Sequence, residues 1–272
     1  AQSLKQSNMK RLLAYSSIGQ VGYILFALGS ALVLMNTNNE LSNGIAVIAV
    51  IGAIYHILNH AIFKGLLFLT SGSILYSTHT KDLNKLGGLL KYMPFTAFIA
   101  GVASLSIAGI PPFSGFSSKW TIITSSLMAK TSSGILVLFG IIALFTSTLT
   151  LACYVKFFGM SFTSRGTVKQ ETEGSIKEVK QSMIIPKFFL TAIALVQGLL
   201  PIIFYKMIYT ILSKAKGTKL STIIQDGKEP LLNIKTHAIH LSANSTILKA
   251  SIAPIVIAAI LIITYLIIKG IR

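Results

Sequence analysis

Apolar and polar positions follow one another along this chain in long blocks rather than in the short periods of a soluble fold. A helix needs about 20 predominantly apolar residues to cross the hydrocarbon core of a bilayer. Six stretches meet that requirement, roughly 12–35, 45–76, 92–128, 134–158, 186–212 and 248–268. The second is long enough to tilt or to extend beyond the bilayer. The third is interrupted at GIPPF, from Gly109 to Phe113, where Pro111 and Pro112 remove two backbone donors and clash with the preceding turn. The helix has to break there, and broken helices at membrane depth are tolerated where they line a hydrated cavity or lie inside protein. Such breaks are characteristic of transporters. The block pattern therefore predicts an all-α, polytopic transmembrane bundle of about six spans with a Pro-Pro discontinuous helix. Its expected organisation is a cytoplasmic loop at 1–11, a transmembrane core with an ion path at 12–158, a cytoplasmic linker at 159–185 and a C-terminal transmembrane region at 186–272.

Composition agrees with a lipid solvent. Of 272 residues 53% are hydrophobic and 11% charged, less than half the roughly 25% charge of a soluble domain. The net charge of +17 comes from 24 Lys and Arg against 7 Asp and Glu. These cations sit mostly between apolar blocks, where they meet anionic lipid and set topology, so nucleic acid is not an expected partner. Lys5, Lys10 and Arg11 precede the first span, Lys81, Lys85 and Lys91 follow the second, and Arg165, Lys169, Lys177 and Lys180 lie between the fourth and fifth. This alternation assigns those three segments to the cytoplasm. The segment 213–245 breaks the rule, being basic yet falling outside. The single cysteine, Cys153, excludes an internal disulfide and a cysteine-rich metal or iron–sulfur site. The polar stretch that follows Ala1 reads like a loop between two spans, as though the chain began inside a longer protein.

The informative residues are those that a bilayer excludes. About 12 residues, some 18 Å of helix, separate Lys64 from the end of its apolar run, beyond the reach of a snorkelling side chain. An ammonium at mid-depth costs about 3 kcal/mol on insertion scales, and such residues are functional by default. His56, His60 and Lys64 are spaced i, i+4, i+8, which stacks them on one helical face, a ladder of titratable groups about 6 Å apart. Lys119 lies about two turns after the break, where the positive end of a restarting helix disfavours a further positive charge. It is a candidate exchange group, against the alternative of an interfacial lysine beside Trp120. All seven acidic residues (Glu40, Asp82, Glu171, Glu173, Glu178, Asp226, Glu229) fall outside the predicted spans. The buried cations are therefore expected to lack a carboxylate partner within the chain. Sodium prefers anionic oxygen ligands, so this distribution favours proton traffic. Thr146, Ser147, Thr148 and Thr150 could support a water wire, although hydroxyls in spans more often bond back to their own helix or join helices.

Four segments together resemble a known family: MKRLLAYSSIGQVGY at 9–23, HILNHAIFKGLLFLTSGS at 56–73, DLNKLGGL at 82–89 and LSIAGIPPFSGFSSKW at 105–120. In this order they resemble the antiporter-like subunits shared by complex I, the multisubunit Mrp sodium/proton antiporters and membrane-bound energy-converting hydrogenases. The resemblance implies the second half of an inverted-repeat antiporter-like fold that translocates protons within a redox-driven complex. In that reading Lys64 is the central lysine of the hydrated axis and His56 and His60 are its companions. Lys119 is the lysine of the broken helix, exchanging with the outer side, and Gly109, Pro111 and Pro112 form the helix break. No catalytic residue, cofactor or metal site is expected. The expected partners are other membrane subunits, lipid and protons, in a prokaryotic cytoplasmic membrane. The alternatives are an Mrp-type subunit handling sodium and a non-conducting structural subunit. The chain departs from the family in three ways: the family's first inverted repeat, with a glutamate–lysine pair and a further lysine on a broken helix, is not in it; Asn8 and Met9 stand where an acidic residue precedes the basic pair Lys10 and Arg11; and no long lateral helix is evident after Leu212.

Overall fold

The computed structural model describes residues 2–37, 39–129, 133–164, 176–215 and 217–226, with short backbone stretches at 232–233, 238–243, 246–251 and 259. A short α1 (Gln2–Lys5) leads into α2 (Met9–Met35), whose N-terminus is capped by the Asn8 side chain accepting from the backbone N–H of Lys10 and Arg11. Asn8, just before the basic pair, thus serves as the N-cap. Next comes α3 (Glu40–Thr78), 39 residues long; at 1.5 Å per residue this is about 58 Å, well beyond the thickness of a hydrocarbon core. The expected break divides the third apolar stretch into α4 (Pro94–Ala108) and α5 (Ser114–Met128). Then follow α6 (Gly134–Phe158), which continues through a π turn at Gly159–Thr163, α7 (Gln181–Leu199), α8 (Pro201–Lys214) and α9 (Lys219–Asp226).

Among the described residues four helices are long and apolar enough to cross a membrane, α2, α3, α6 with its π turn, and α7. The fifth predicted stretch, 186–212, is two helices that meet at Leu200, and the first starts five residues before Pro186. Most of the sixth, 248–268, lies outside the described residues. Its first residues belong to β3 (Thr246–Ser251), which pairs antiparallel with β2 (Ala238–Ala243), itself beside β1 (Leu232–Asn233).

The outer surface is rich in large apolar side chains, while the interior holds polar groups among its apolar core. Ile18, Leu25 and Leu32 of α2, Ile135, Leu138 and Phe145 of α6, and Ile185, Phe189 and Ile211 of α7 and α8 are exposed. In contrast Gln20, His56, Asn59, Lys64, Thr70, Ser117, Lys119 and Gln197 are buried. Large apolar side chains facing outward are what a hydrocarbon solvent selects. Helix α3 is the axis of this arrangement, with α2, α4, α5, α7 and α8 packed around it.

The described parts of the three basic segments lie together at one end of the bundle, while Arg165 and Lys169 fall outside the described residues. Met9 N–H donates to Lys81 O, Leu83 N–H to Ser7 O, Leu90 N–H to Phe162 O, and Ser77 Oγ to Lys177 O. At the opposite end Lys219 Nζ donates to Met35 O, which places the start of the basic 213–245 segment across the bundle from the other three.

Candidate functional site

The site grows out of two interruptions of ordinary membrane chemistry, a polar face on α3 and the break between α4 and α5. Lys64 is 5% exposed. Its Nζ donates to Leu13 O at 2.7 Å, Ser16 Oγ at 2.6 Å and Tyr154 Oη at 3.2 Å, and the two hydroxyls share a hydrogen bond of 2.7 Å. The amine is thus held where α2, α3 and α6 meet, by one carbonyl and two groups that both donate and accept protons.

His60 and His56 lie one and two turns away on the same face of α3. The structure does not bond the three groups to one another, and the Phe63 ring packs against both histidines, 5.6 Å from His60 and 6.2 Å from His56. His56 Nδ1 instead pairs with Ser118 Oγ of α5 at 2.9 Å. The Nε2 atoms of both histidines, Oε1 of Gln20, Oδ1 of Asn59 and the hydroxyls of Ser114 and Ser117 are buried and without a hydrogen-bond partner among the described residues. Buried polar atoms are almost always hydrogen-bonded, and several converging in a roomy polar site are suited to ordered water. Gln20 is one turn beyond Ser16 and one turn before Tyr23 on α2. That helix therefore presents a second polar row, Ser16, Gln20 and Tyr23, opposite the His-His-Lys face.

The break at Gly109, Pro111 and Pro112 creates the other half of the site. The last four carbonyls of a helix have no intrahelical partner, and here each finds one. Gly109 N–H donates to Leu105 O and Ser106 O, Lys119 Nζ to Ile107 O at 2.7 Å, and Ser147 Oγ to Ala108 O at 3.3 Å. Gly109 ends α4 at φ +79°, a left-handed conformation that a side chain disfavours. A Cβ there would also lie 3.1 Å from Lys119 Cδ. Lys119 is 3% exposed, and its Nζ stands 5.2 Å from the centre of the Tyr23 ring. This corrects the expected electrostatics, because the Lys119 side chain reaches back from α5 to the negative, C-terminal end of α4. It does not remain at the positive end of its own helix. Trp120 stacks on Phe116.

Two hydroxyls of the run on α6 bond back to their own helix. Thr146 donates to Ile142 O and Thr150 to Thr146 O, whereas Ser147 joins α6 to the break. Sequence reasoning missed Tyr154, Ser16 and Tyr23, which supply the contacts of both lysines. It also missed Lys187, a further buried amine on α7. Its Nζ donates to Thr96 Oγ1, which donates to Glu178. As expected, Lys64 and Lys119 bond no carboxylate among the described residues; Lys187 reaches one only through Thr96, because Glu178 lies outside the spans but folds onto the start of α4.

Residues 1–150 match the family described as NADH:quinone oxidoreductase/Mrp antiporter, transmembrane. Hydrogenase-4 component B of Escherichia coli is 37% identical over 72% of this chain, and a Na(+)/H(+) antiporter protein of Alkalihalophilus pseudofirmus is 35% identical over 85%. The aligned region is 29% of the length of each of these two proteins. Among solved structures, the membrane-bound sulfane sulfur reductase, an archaeal respiratory membrane complex, matches with a TM-score of 0.66 and 26% identity over 100% of this chain and 38% of its own. The Mrp complex of Dietzia sp. matches with a TM-score of 0.56 and 30% identity over 75% of this chain and 20% of its own. Respiratory complex I of Thermus thermophilus has the same fold, with a TM-score of 0.59 at 19% identity over 74% of this chain and 38% of its own.

Proposed function

Because this chain belongs to the NADH:quinone oxidoreductase/Mrp antiporter transmembrane family, we propose that it moves protons across the membrane as an antiporter-like component of a larger, redox-driven complex. The observation that carries this reading is the environment of Lys64: an amine buried in the bundle, bonded to the hydroxyls of Ser16 and Tyr154, on one helical face with the buried His56 and the half-buried His60. Lys64 relays the proton laterally. His56 and His60 connect it to water, and Lys119 exchanges at the break with the side opposite the basic loops. The basic end faces the cytoplasm of a prokaryotic cell, and the outward-facing apolar surface meets lipid and neighbouring subunits.

A redox-driven parent is favoured by the likeness to the sulfane sulfur reductase complex, which extends over the whole chain. The likeness to sodium/proton antiporter subunits favours a second reading, sodium/proton exchange. The test is proton translocation by the parent complex in membrane vesicles carrying Lys64→Ala, with the amount of assembled complex measured in parallel. Translocation per complex is expected to fall about hundredfold or more. Unchanged translocation would make the role of this chain structural, and a strict requirement for sodium would favour the second reading.

A further inference from the structure

Lys187 lies in the second turn of α7, only 1% exposed. Its Nζ donates to Ser73 Oγ of α3 at 2.7 Å and to Thr96 Oγ1 of α4 at 3.3 Å. The Thr96 hydroxyl donates in turn to Glu178 Oε1 at 2.6 Å, while Glu178 Oε2 accepts from the N–H groups of Phe95 and Thr96 at 3.0 and 3.1 Å. Glu178 is half-buried, on the segment that joins the basic end. A carboxylate at a helix N-terminus is a stabilising cap, and that accounts for Oε2. It leaves unexplained why the other oxygen is wired through a hydroxyl to a buried amine.

The polarity of this wire is consistent from end to end: ammonium to hydroxyl to carboxylate, each donor matched to an acceptor. Moving one proton outward breaks an N–H bond of Lys187 and forms an O–H bond on Thr96. The original Thr96 proton passes to Glu178, leaving a neutral amine and a neutral acid. The reverse sequence loads Lys187 from the surface. Ser73 is nine residues beyond Lys64 on α3, two and a half turns, and so lies on the opposite side of that helix. One turn back toward the membrane centre, the Thr70 hydroxyl is buried and without a partner among the described residues.

We propose that Glu178, Thr96 and Lys187 form a second proton-exchange station, open at the basic end and entering the bundle between α3, α4 and α7, apart from the Lys64 axis. It rests on the reading of this bundle as a proton conductor. From α4 no titratable side chain faces it. Among the described residues the other titratable groups on the adjoining segments are Tyr76, His79 and Lys81 at the end of α3, Lys91 and Tyr92 before α4, and Lys177 and Lys180 flanking Glu178. All of these are exposed or half-exposed.

The test compares Glu178→Gln, Thr96→Val, Thr96→Ser and Lys187→Met in the assembled parent complex in membrane vesicles, with Lys64→Ala measured alongside. Glu178→Gln keeps a cap acceptor but cannot carry a proton, and Thr96→Val keeps the shape but cuts the wire. Both are expected to lose translocation per complex about tenfold near pH 8.5, where protons are scarce, and less than about twofold near pH 6.5. Thr96→Ser is expected to retain the rate, and Lys187→Met to behave like Thr96→Val. If Glu178→Gln and Thr96→Val change only the thermal stability of the complex while Lys64→Ala abolishes translocation, Glu178 is a cap alone and the station is overturned. If Lys64→Ala is also without effect, the conducting role of the bundle is overturned, and the station with it.

Discussion

Lys64 and Lys119 are both buried amines close to α2, yet the groups that hold them differ in kind. Around Lys64, on an unbroken helix, two of the three partners are the hydroxyls of Ser16 and Tyr154. Around Lys119, beside a broken helix, the hydrogen-bond acceptor is the Ile107 carbonyl and the other contact is the face of the Tyr23 ring. A hydroxyl accepts one proton while donating another, whereas a carbonyl only accepts a hydrogen bond. The first environment suits a relay in the middle of a path. The second suits a terminal group that holds its proton until an exchange partner arrives.

The strongest way to break this comparison is to preserve charge and remove exchange. Arginine keeps a donor and a positive charge but does not release its proton in proteins. Lys64→Arg is therefore expected to lose translocation about as fully as Lys64→Ala, by hundredfold or more. A variant that pumps at the normal rate would mean that Lys64 acts only as a fixed charge. The next effect bears on the broken side. A Cβ at Gly198 of α7 would lie 2.5 Å from Pro112 O and 2.7 Å from Ser114 N, both backbone atoms. Gly198→Ala is expected to destabilise the assembled protein by about 3 kcal/mol, read from its thermal unfolding in detergent. An unchanged melting temperature would mean that α7 does not clamp the break. The smallest effect tests the relay hydroxyl. Tyr154→Phe leaves Lys64 its bonds to Leu13 and Ser16, so translocation is expected to fall about tenfold, by roughly one lost hydrogen bond. A loss as large as that of Lys64→Ala would place the proton route through Tyr154 alone.

The same two regions differ in how much of them the sequence discloses. The ladder of His56, His60 and Lys64 was legible because helical spacing is local and a lysine far inside an apolar run is conspicuous. The break was legible because Pro111 and Pro112 act on their own backbone. Their partners were not. Ser16 and Tyr154 lie 48 and 90 residues from Lys64 in the chain, and a serine or tyrosine in a span carries no signal of what it will meet. Lys187 was hidden by Pro186, which set the edge of the predicted span and made the lysine an apparent boundary charge. The helix in fact begins at Gln181, which carries Lys187 inside. Glu178 was hidden for a related reason, since an acid in a polar linker does not disclose that the linker folds onto a helix N-terminus. The hydroxyls of Thr146 and Thr150 behave as local chemistry predicts, bonded to their own helix.

The central claim is that Lys64 and Lys119 are stations on one path. It is tested most directly by a double-mutant cycle on translocation, comparing Lys64→Ala, Lys119→Ala and the pair in the same assembled complex. Stations in series predict that either single variant is already limiting and that the double variant is no slower than the worse single one. Substantial translocation in each single variant, with losses that multiply in the double, would contradict the account and require two independent routes.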